Sequence, residues 1–184
     1  MKQIIATIVI AVSVFGTRAF AEPEKSTNTT STATATPVDS TKQIKLTVVK
    51  VDSEETAGEN GSATNAVDGN PETFWHTEWQ DSNPAPPHEI ILKLAEPAAI
   101  KGFTYLPRQD DSDNGTIKNY EFYVSTDGKD FGQPVKKGTF EANKDKKTVT
   151  FEAKKCGFVK LRALSEINDE AWTSAAEITV IPAD

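Results

Sequence analysis

Cysteine is almost absent from the sequence. The single residue, Cys156, cannot form an intramolecular disulfide, so a domain built from this chain depends on core burial or a bound metal ion for its stability. In the segment KKCGFVKL we expect Cys156 to pack as a small apolar group and not to react.

Recognisable catalytic motifs are also absent. Only two histidines occur, and His88-Glu89 is followed by IILKL, so the zinc motif His-Glu-x-x-His is not present, and neither is Gly-x-Ser-x-Gly. Asp110, Asp111 and Asp113 could form a hydrolytic carboxylate pair, but a solvated acidic rim is the simpler interpretation. We predict no catalytic residues and no enzymatic activity.

Positive charge is in deficit. The chain carries 20 Lys and Arg against 27 Asp and Glu, a net charge of −7. Removal of residues 1–21 would take away Lys2 and Arg18 and leave −9 (18 against 27). Such a protein should not bind nucleic acid or an anionic membrane surface by electrostatics, and we expect no direct membrane insertion; uncharged ligands and cations fit better.

The only long apolar run lies at the N-terminus. Lys2 precedes IIATIVIAVSVF and then Ala19-Phe20-Ala21, which is the layout of a cleaved secretory signal peptide over residues 1–21. An uncleaved anchor is the alternative, although the run is short for a membrane span. We expect a secreted or periplasmic protein.

A linker follows the signal peptide. Ten of the twenty residues 22–41 are Ser or Thr and none is aromatic, so we predict a disordered linker over residues 22–43. Residues 44–184 have the length of one domain. Short alternating runs there, such as YEFYVS from Tyr120, are separated by turn residues such as Thr126–Lys129 and Cys156-Gly157, a pattern typical of an all-β sandwich or barrel.

Two long loops contain side chains suited to binding. In NAVDGNPETF the oxygens of Asp68, Asn70 and Thr73 suit a calcium ion, although the spacing is not that of an EF-hand and a solvated Asx-turn is the alternative. In the second loop Arg108 and Asn114 offer the donors and acceptors that sugar hydroxyls need; a surface arginine and a plain turn are the alternative.

Taken together, SEETAGENGSATNAVDGNPETFWHTEW, YLPRQDDSDNGTIKNYEFYVSTDGKDF, FVKLRAL and SAAEITV occur in the order and spacing of one family. Over residues 46–181 the chain resembles a discoidin domain (coagulation factor five/eight type C), and in particular the bacterial carbohydrate-binding modules of family 32. The resemblance implies a jelly-roll β-sandwich of about eight strands.

The resemblance also implies a structural calcium ion that ties an early loop to the last strand. By matching motifs, its ligands are backbone carbonyls, two carboxylates and a threonine hydroxyl, and they fall on Asn65, Asp68, Asn70, Thr73, Ala176 and Glu177.

A sugar site for galactose or GalNAc-type glycans is implied in the same way. His76 and Arg108 would donate hydrogen bonds to ring hydroxyls, Asn114 would complete the polar set, Trp172 would stack on the sugar, and Trp79 would form a further wall. A lone histidine beside tryptophans is otherwise more often a packed residue. We assign Phe74 and Trp75 to the core.

Some features limit the resemblance. Phospholipid-binding members carry a disulfide and apolar spikes, which this chain lacks, and Asn114-Gly115-Thr116 is an N-glycosylation sequon inside the implied site. We expect a lectin-like module, acting alone or with a larger extracellular protein or assembly. The alternative is a protein- or cell-surface-adhesion domain without sugar binding.

Overall fold

The computed structural model describes residues 43–184. The predicted signal peptide and all of the predicted linker except residue 43 lie outside the described residues. The described part contains eight strands and one 3-10 segment, Ala63–Val67; the strands are β1 Leu46–Val51, β2 Trp75–His76, β3 His88–Leu106, β4 Ile117–Ser125, β5 Lys136–Thr139, β6 Lys147–Glu166, β7 Ser174–Ala175 and β8 Glu177–Pro182. Residues 43–184 contain no helix that is long and apolar enough to cross a membrane.

Two long antiparallel strands, β3 and β6, connect the two layers of the sandwich. They pair along most of their length, from His88 opposite Ala163 to Tyr105 opposite Lys147, with register shifts between Lys93 and Ala98 and between Ile100 and Gly102. The first part of β3 also pairs with β1 and the later part with β8, while the later part of β6 pairs with β4, which pairs with β5.

The core lies between the layers. Phe103 of β3 and Phe122 of β4, which are not neighbours in the sheet, stack with ring centroids 4.0 Å apart. Trp75 is buried in the same core and its Nε1 donates to the Ser53 carbonyl over 2.9 Å. These features confirm the predicted all-β jelly-roll sandwich and the core position of Trp75.

The predicted packing of Cys156 is confirmed, but the turn predicted at Cys156-Gly157 is wrong. Cys156 is fully buried, and burial raises the pKa of its thiol to about 11, so it stays protonated. Strand β6 continues through this dipeptide because Cys156 pairs with Ala98 of β3. A Cβ at Gly157 would stand 3.2 Å from the Thr126 carbonyl oxygen, so glycine here permits a close approach of the turn that follows β4.

Candidate functional site

The short sheet formed by β2 and β7 brings three distant segments of the chain together. His76 pairs with Ser174, and the Ser174 N–H donates to the Gly115 carbonyl over 2.7 Å. The Ser174 hydroxyl donates to the Asn114 carbonyl over 2.9 Å. The loops that follow β1, β3 and β6 therefore meet at one end of the sandwich, where binding residues commonly lie.

His76 is held as a neutral imidazole. The residue is 2% exposed, and its Nδ1 lies 2.7 Å from the Thr77 carbonyl, which can only accept a hydrogen bond. Burial is the largest influence on the His76 pKa and lowers it, against the raising effects of the Thr77 carbonyl and Glu59. Nε2 makes no hydrogen bond within residues 43–184, so its lone pair is free to accept one.

Two aromatic rings flank His76. Trp172, which is half-buried, lies 6.3 Å from it between ring centroids, and Phe74 lies 6.4 Å away in an edge contact. The assignment of Phe74 to the core is wrong. Because side chains alternate along a strand, β2 directs Trp75 into the core, and its neighbours Phe74 and His76 lie together in the site.

Arg108 is 7% exposed and packs on Phe74, with its Cζ 4.1 Å from the ring centroid. Its Nε and Nη2 donate to the two carboxylate oxygens of Asp110 at 2.7 and 2.5 Å. This bidentate pair holds the Asp110 pKa below its ordinary value. Asp110 is therefore ionised at neutral pH, which does not suit the protonated acid of a glycosidase pair.

Trp79 forms an outer wall that reaches the site through Glu59. Trp79 is 38% exposed, and its Nε1 donates to Glu59 Oε1 over 3.0 Å. The same Oε1 lies 3.9 Å from His76 Nδ1. The sequence analysis missed Glu59, because nothing in the loop motif separates it from the other acidic residues around it.

The two remaining predicted site residues carry unused polar groups. The Asn114 side chain is half-buried and forms no hydrogen bond within the described part of the chain. The Nε1 atom of Trp172 is buried and likewise lacks a partner there. His76 and Arg108 thus meet at Phe74 and Trp172 contacts His76, while Asn114 is joined through Ser174 and Trp79 through Glu59.

The predicted metal ligands cluster where the loop after the 3-10 segment meets β8. Asp68 accepts hydrogen bonds from the Asn70 N–H at 2.8 Å and the Thr73 hydroxyl at 2.7 Å, which is the Asx-turn that the sequence left open. Glu177 accepts from the Gly69 N–H at 2.7 Å. Burial raises the Glu177 pKa, and the nearby Asp68 carboxylate raises it further.

This donor set fits a hard cation. Within residues 43–184, neither Asp68 nor Glu177 forms an ion pair with a basic side chain. The same residues contain no cluster of three or more His, Cys, Asp or Glu side chains that could hold a metal, so backbone and other neutral oxygens would have to complete the site. The Asn65 Nδ2 donates to the carbonyls of Asn60 and Phe74, which holds this side chain in place, and Ala176 is fully buried. Two carboxylates with several neutral oxygens are ligands that calcium accepts.

Comparison with known protein families identifies the family of this domain. A model of the F5/8 type C domain matches residues 48–178. The chain belongs to the F5/8 type C family. The resemblance predicted from the motifs is confirmed.

Similar F5/8 type C domains occur within larger enzymes. The chain is 39% identical over 139 residues to a sialidase of Micromonospora viridifaciens, covering 75% of this chain and 21% of that protein. It is 36% identical over 162 residues to a galactose oxidase of Gibberella zeae, covering 88% and 23%. The chain therefore spans about a fifth of the length of these relatives.

Solved structures of CBM32 modules from Clostridium perfringens share the fold. One, in complex with GalNAc-β-1,3-galactose, has a TM-score of 0.68 at 35% identity and covers 74% of this chain and 95% of that one. Another, from NanJ in complex with galactose, has a TM-score of 0.65 at 29% identity, with coverages of 75% and 97%.

Proposed function

We propose that residues 44–184 form an exported, non-catalytic carbohydrate-binding module for galactose or GalNAc-type glycans. The observation that carries the proposal is the unpaired Nε2 of His76, in a buried neutral imidazole near Arg108 and between two aromatic rings. An acceptor close to a cationic donor suits a sugar hydroxyl, which donates one hydrogen bond and accepts another.

Each residue then has a defined role. Because Nδ1 donates to Thr77, His76 would accept from a sugar hydroxyl through Nε2 and would not donate, contrary to the initial expectation. Arg108 keeps Nη1 outside its pair with Asp110 and would donate to the sugar. Asn114 would supply a further donor and acceptor, and the rings of Trp172 and Trp79 would cover the apolar sugar face.

Two further observations support the sugar class and the export. Similar modules at 35% and 29% identity were solved with a GalNAc-galactose disaccharide and with galactose. The N-terminal residues 1–21 have the pattern of a signal peptide. Because the chain spans about a fifth of its enzyme relatives, we assign it the binding role of an accessory domain and none of their catalysis.

The test is a glycan array on the purified chain, followed by calorimetric titration with galactose. Arg108→Ala should weaken binding about tenfold to a hundredfold, the range for a hydrogen bond to a charged group. Arg162→Ala is the matched control, since it removes the same charge from an arginine that lies near Glu121, away from the site. A blank array from folded protein would contradict the proposal and favour a protein-adhesion domain.

We also propose that Asp68 and Glu177, with oxygens of Asn65, Asn70, Thr73 and Ala176, hold a structural calcium ion. The two adjacent carboxylates support this, because burial and the Asp68 carboxylate both disfavour the charge of Glu177, and a bound cation would balance it. Bound calcium would join the loop after the 3-10 segment to β8, in a domain whose only cysteine cannot provide a disulfide.

A further inference from the structure

The fully buried carboxylate of Glu55 binds two loops of the site at once. Its Oε1 accepts the N–H groups of Ala57 and Gly58 at 2.7 and 2.8 Å. Its Oε2 accepts those of Trp79 and Gln80, both at 2.8 Å. These backbone hydrogen bonds, that of Trp79 foremost, lower the Glu55 pKa to about 2, so the carboxylate stays ionised near neutral pH.

The backbone of Glu55 is tied to His76 as well. The Glu55 N–H donates to the His76 carbonyl over 2.8 Å, and the Gly61 N–H donates to the Glu55 carbonyl over 2.8 Å. The His76 N–H in turn donates to the Gly61 carbonyl over 3.0 Å. Glu55 therefore sets the distance between His76, at the polar centre of the site, and the outer wall formed by Trp79.

Gly58 lets the Trp79 ring lie against this loop. A Cβ at position 58 would stand 2.6 Å from Trp79 Cη2 and 2.8 Å from Cζ2, closer than any side chain tolerates. The φ of Gly58 lies outside the left-handed region, so alanine could adopt this backbone and only the indole would have to move. Nε1, which lies next to Cζ2 on the same edge of the ring, is held by its hydrogen bond to Glu59.

We propose that Glu55 and Gly58 are positioning residues that set where the Trp79 ring stands and so determine how the outer wall contacts a bound sugar. The proposal rests on the sugar-binding function proposed above. Neither residue touches the sugar: Glu55 fixes the backbone of Trp79, and Gly58 leaves the space that the ring occupies.

The test is a double-mutant cycle between positions 58 and 79 in the full chain, with galactose as the probe in calorimetric titration. Trp79→Ala should weaken binding about tenfold, the upper range for one aromatic contact. Gly58→Ala should lower affinity by up to that amount in the wild-type background and have no further effect in the Trp79→Ala background. Thr56→Ala, two residues away and exposed, is the control that should leave affinity unchanged.

A second measurement does not depend on sugar. The chain has three tryptophans, so their indole N–H signals in an NMR spectrum are few enough to assign. Gly58→Ala should shift the Trp79 signal and leave that of buried Trp75 in place. Glu55→Gln should also shift the Trp79 signal, because the amide NH2 of glutamine would face backbone N–H groups that can only donate. If this variant does not fold, the result for Gly58→Ala still tests the proposal.

Two results would overturn the proposal: an unshifted Trp79 signal in Gly58→Ala, or an affinity loss from Gly58→Ala that is equal in the presence and absence of Trp79. A wild-type chain that binds no sugar would instead defeat the proposed function. In that case a shifted Trp79 signal would still support the positioning of the ring by Gly58.

Discussion

The two histidines of the chain are both buried and yet have opposite environments. His76 is 2% exposed and has one acceptor, the Thr77 carbonyl. His88 is 1% exposed and has three: Asp52 Oδ2 at 2.9 Å from Nδ1, and the Ala171 and Pro84 carbonyls at 2.9 and 3.2 Å from Nε2. Both nitrogens of His88 thus face groups that can only accept, which requires a doubly protonated ring.

The difference shows that burial alone does not decide the charge of a histidine. In both residues burial is the largest single influence and lowers the pKa. In His88 the Asp52 carboxylate and the two carbonyls together outweigh it, so the pKa is raised, whereas that of His76 stays lowered. His88 thereby joins Asp52 to Ala171, next to Trp172, while the Nε2 of His76 makes no hydrogen bond within residues 43–184.

The largest expected effect on the calcium-free chain comes from removing the charged histidine. His88→Ala should destabilise the fold by about 2 kcal/mol, because it leaves two carbonyls without a donor and the partly exposed Asp52 without its cation. Urea denaturation would measure this. A loss below about 1 kcal/mol, within the range of an exposed ion pair, would contradict the imidazolium assigned to His88.

The acidic residues differ in the same way. Asp52 faces the charged ring of His88, whereas Asp68 and Glu177 face each other. Calcium at about a hundred times its dissociation constant would add about 2.7 kcal/mol of stability, so a chelator should lower Tm by several degrees. Asp68→Ala should remove this sensitivity. Asp127→Ala, at another turn aspartate that accepts backbone N–H groups, should keep it. A melt unchanged by chelator would exclude the calcium site.

Removing the neutral histidine should affect binding more than stability. His76→Ala should weaken galactose binding about tenfold or more, because the sugar hydroxyl loses its acceptor in a desolvated site. The stability lost should be smaller than in His88→Ala, since the neutral His76 leaves no carboxylate without its cation. Calorimetric titration and urea denaturation of both variants make the comparison. Unchanged affinity in folded His76→Ala would place the sugar elsewhere.

The smallest expected effects are those of pH, and they differ in sign. The raised pKa of His88 means that its contribution to stability is complete below about pH 6.5 and is lost as pH rises through its folded pKa. The lowered pKa of His76 means that its contribution is complete above about pH 6.5 and is lost as pH falls through its folded pKa. Because the chain has only two imidazoles, NMR titration can follow the pKa of each one. A His76 pKa above that of His88 would refute both assignments.

The sequence by itself was sufficient for the all-β class, the core positions of Trp75 and Cys156, and the family. Each of these depends on local alternation, on residue type or on several ordered motifs. The same motifs named His76, Arg108 and Trp172; the structure places the first two against Phe74, and Trp172 against His76.

Other features were decided only by the tertiary structure, because they depend on contacts between residues far apart in the chain. Glu55 meets Trp79 across 24 residues, and His88 meets Ala171 across 83. In the sequence Glu55 is one acid among several, and His88 was noted only for the zinc motif that it does not complete. A buried carboxylate or imidazolium is defined by the partners that satisfy it, and only the folded chain supplies those partners.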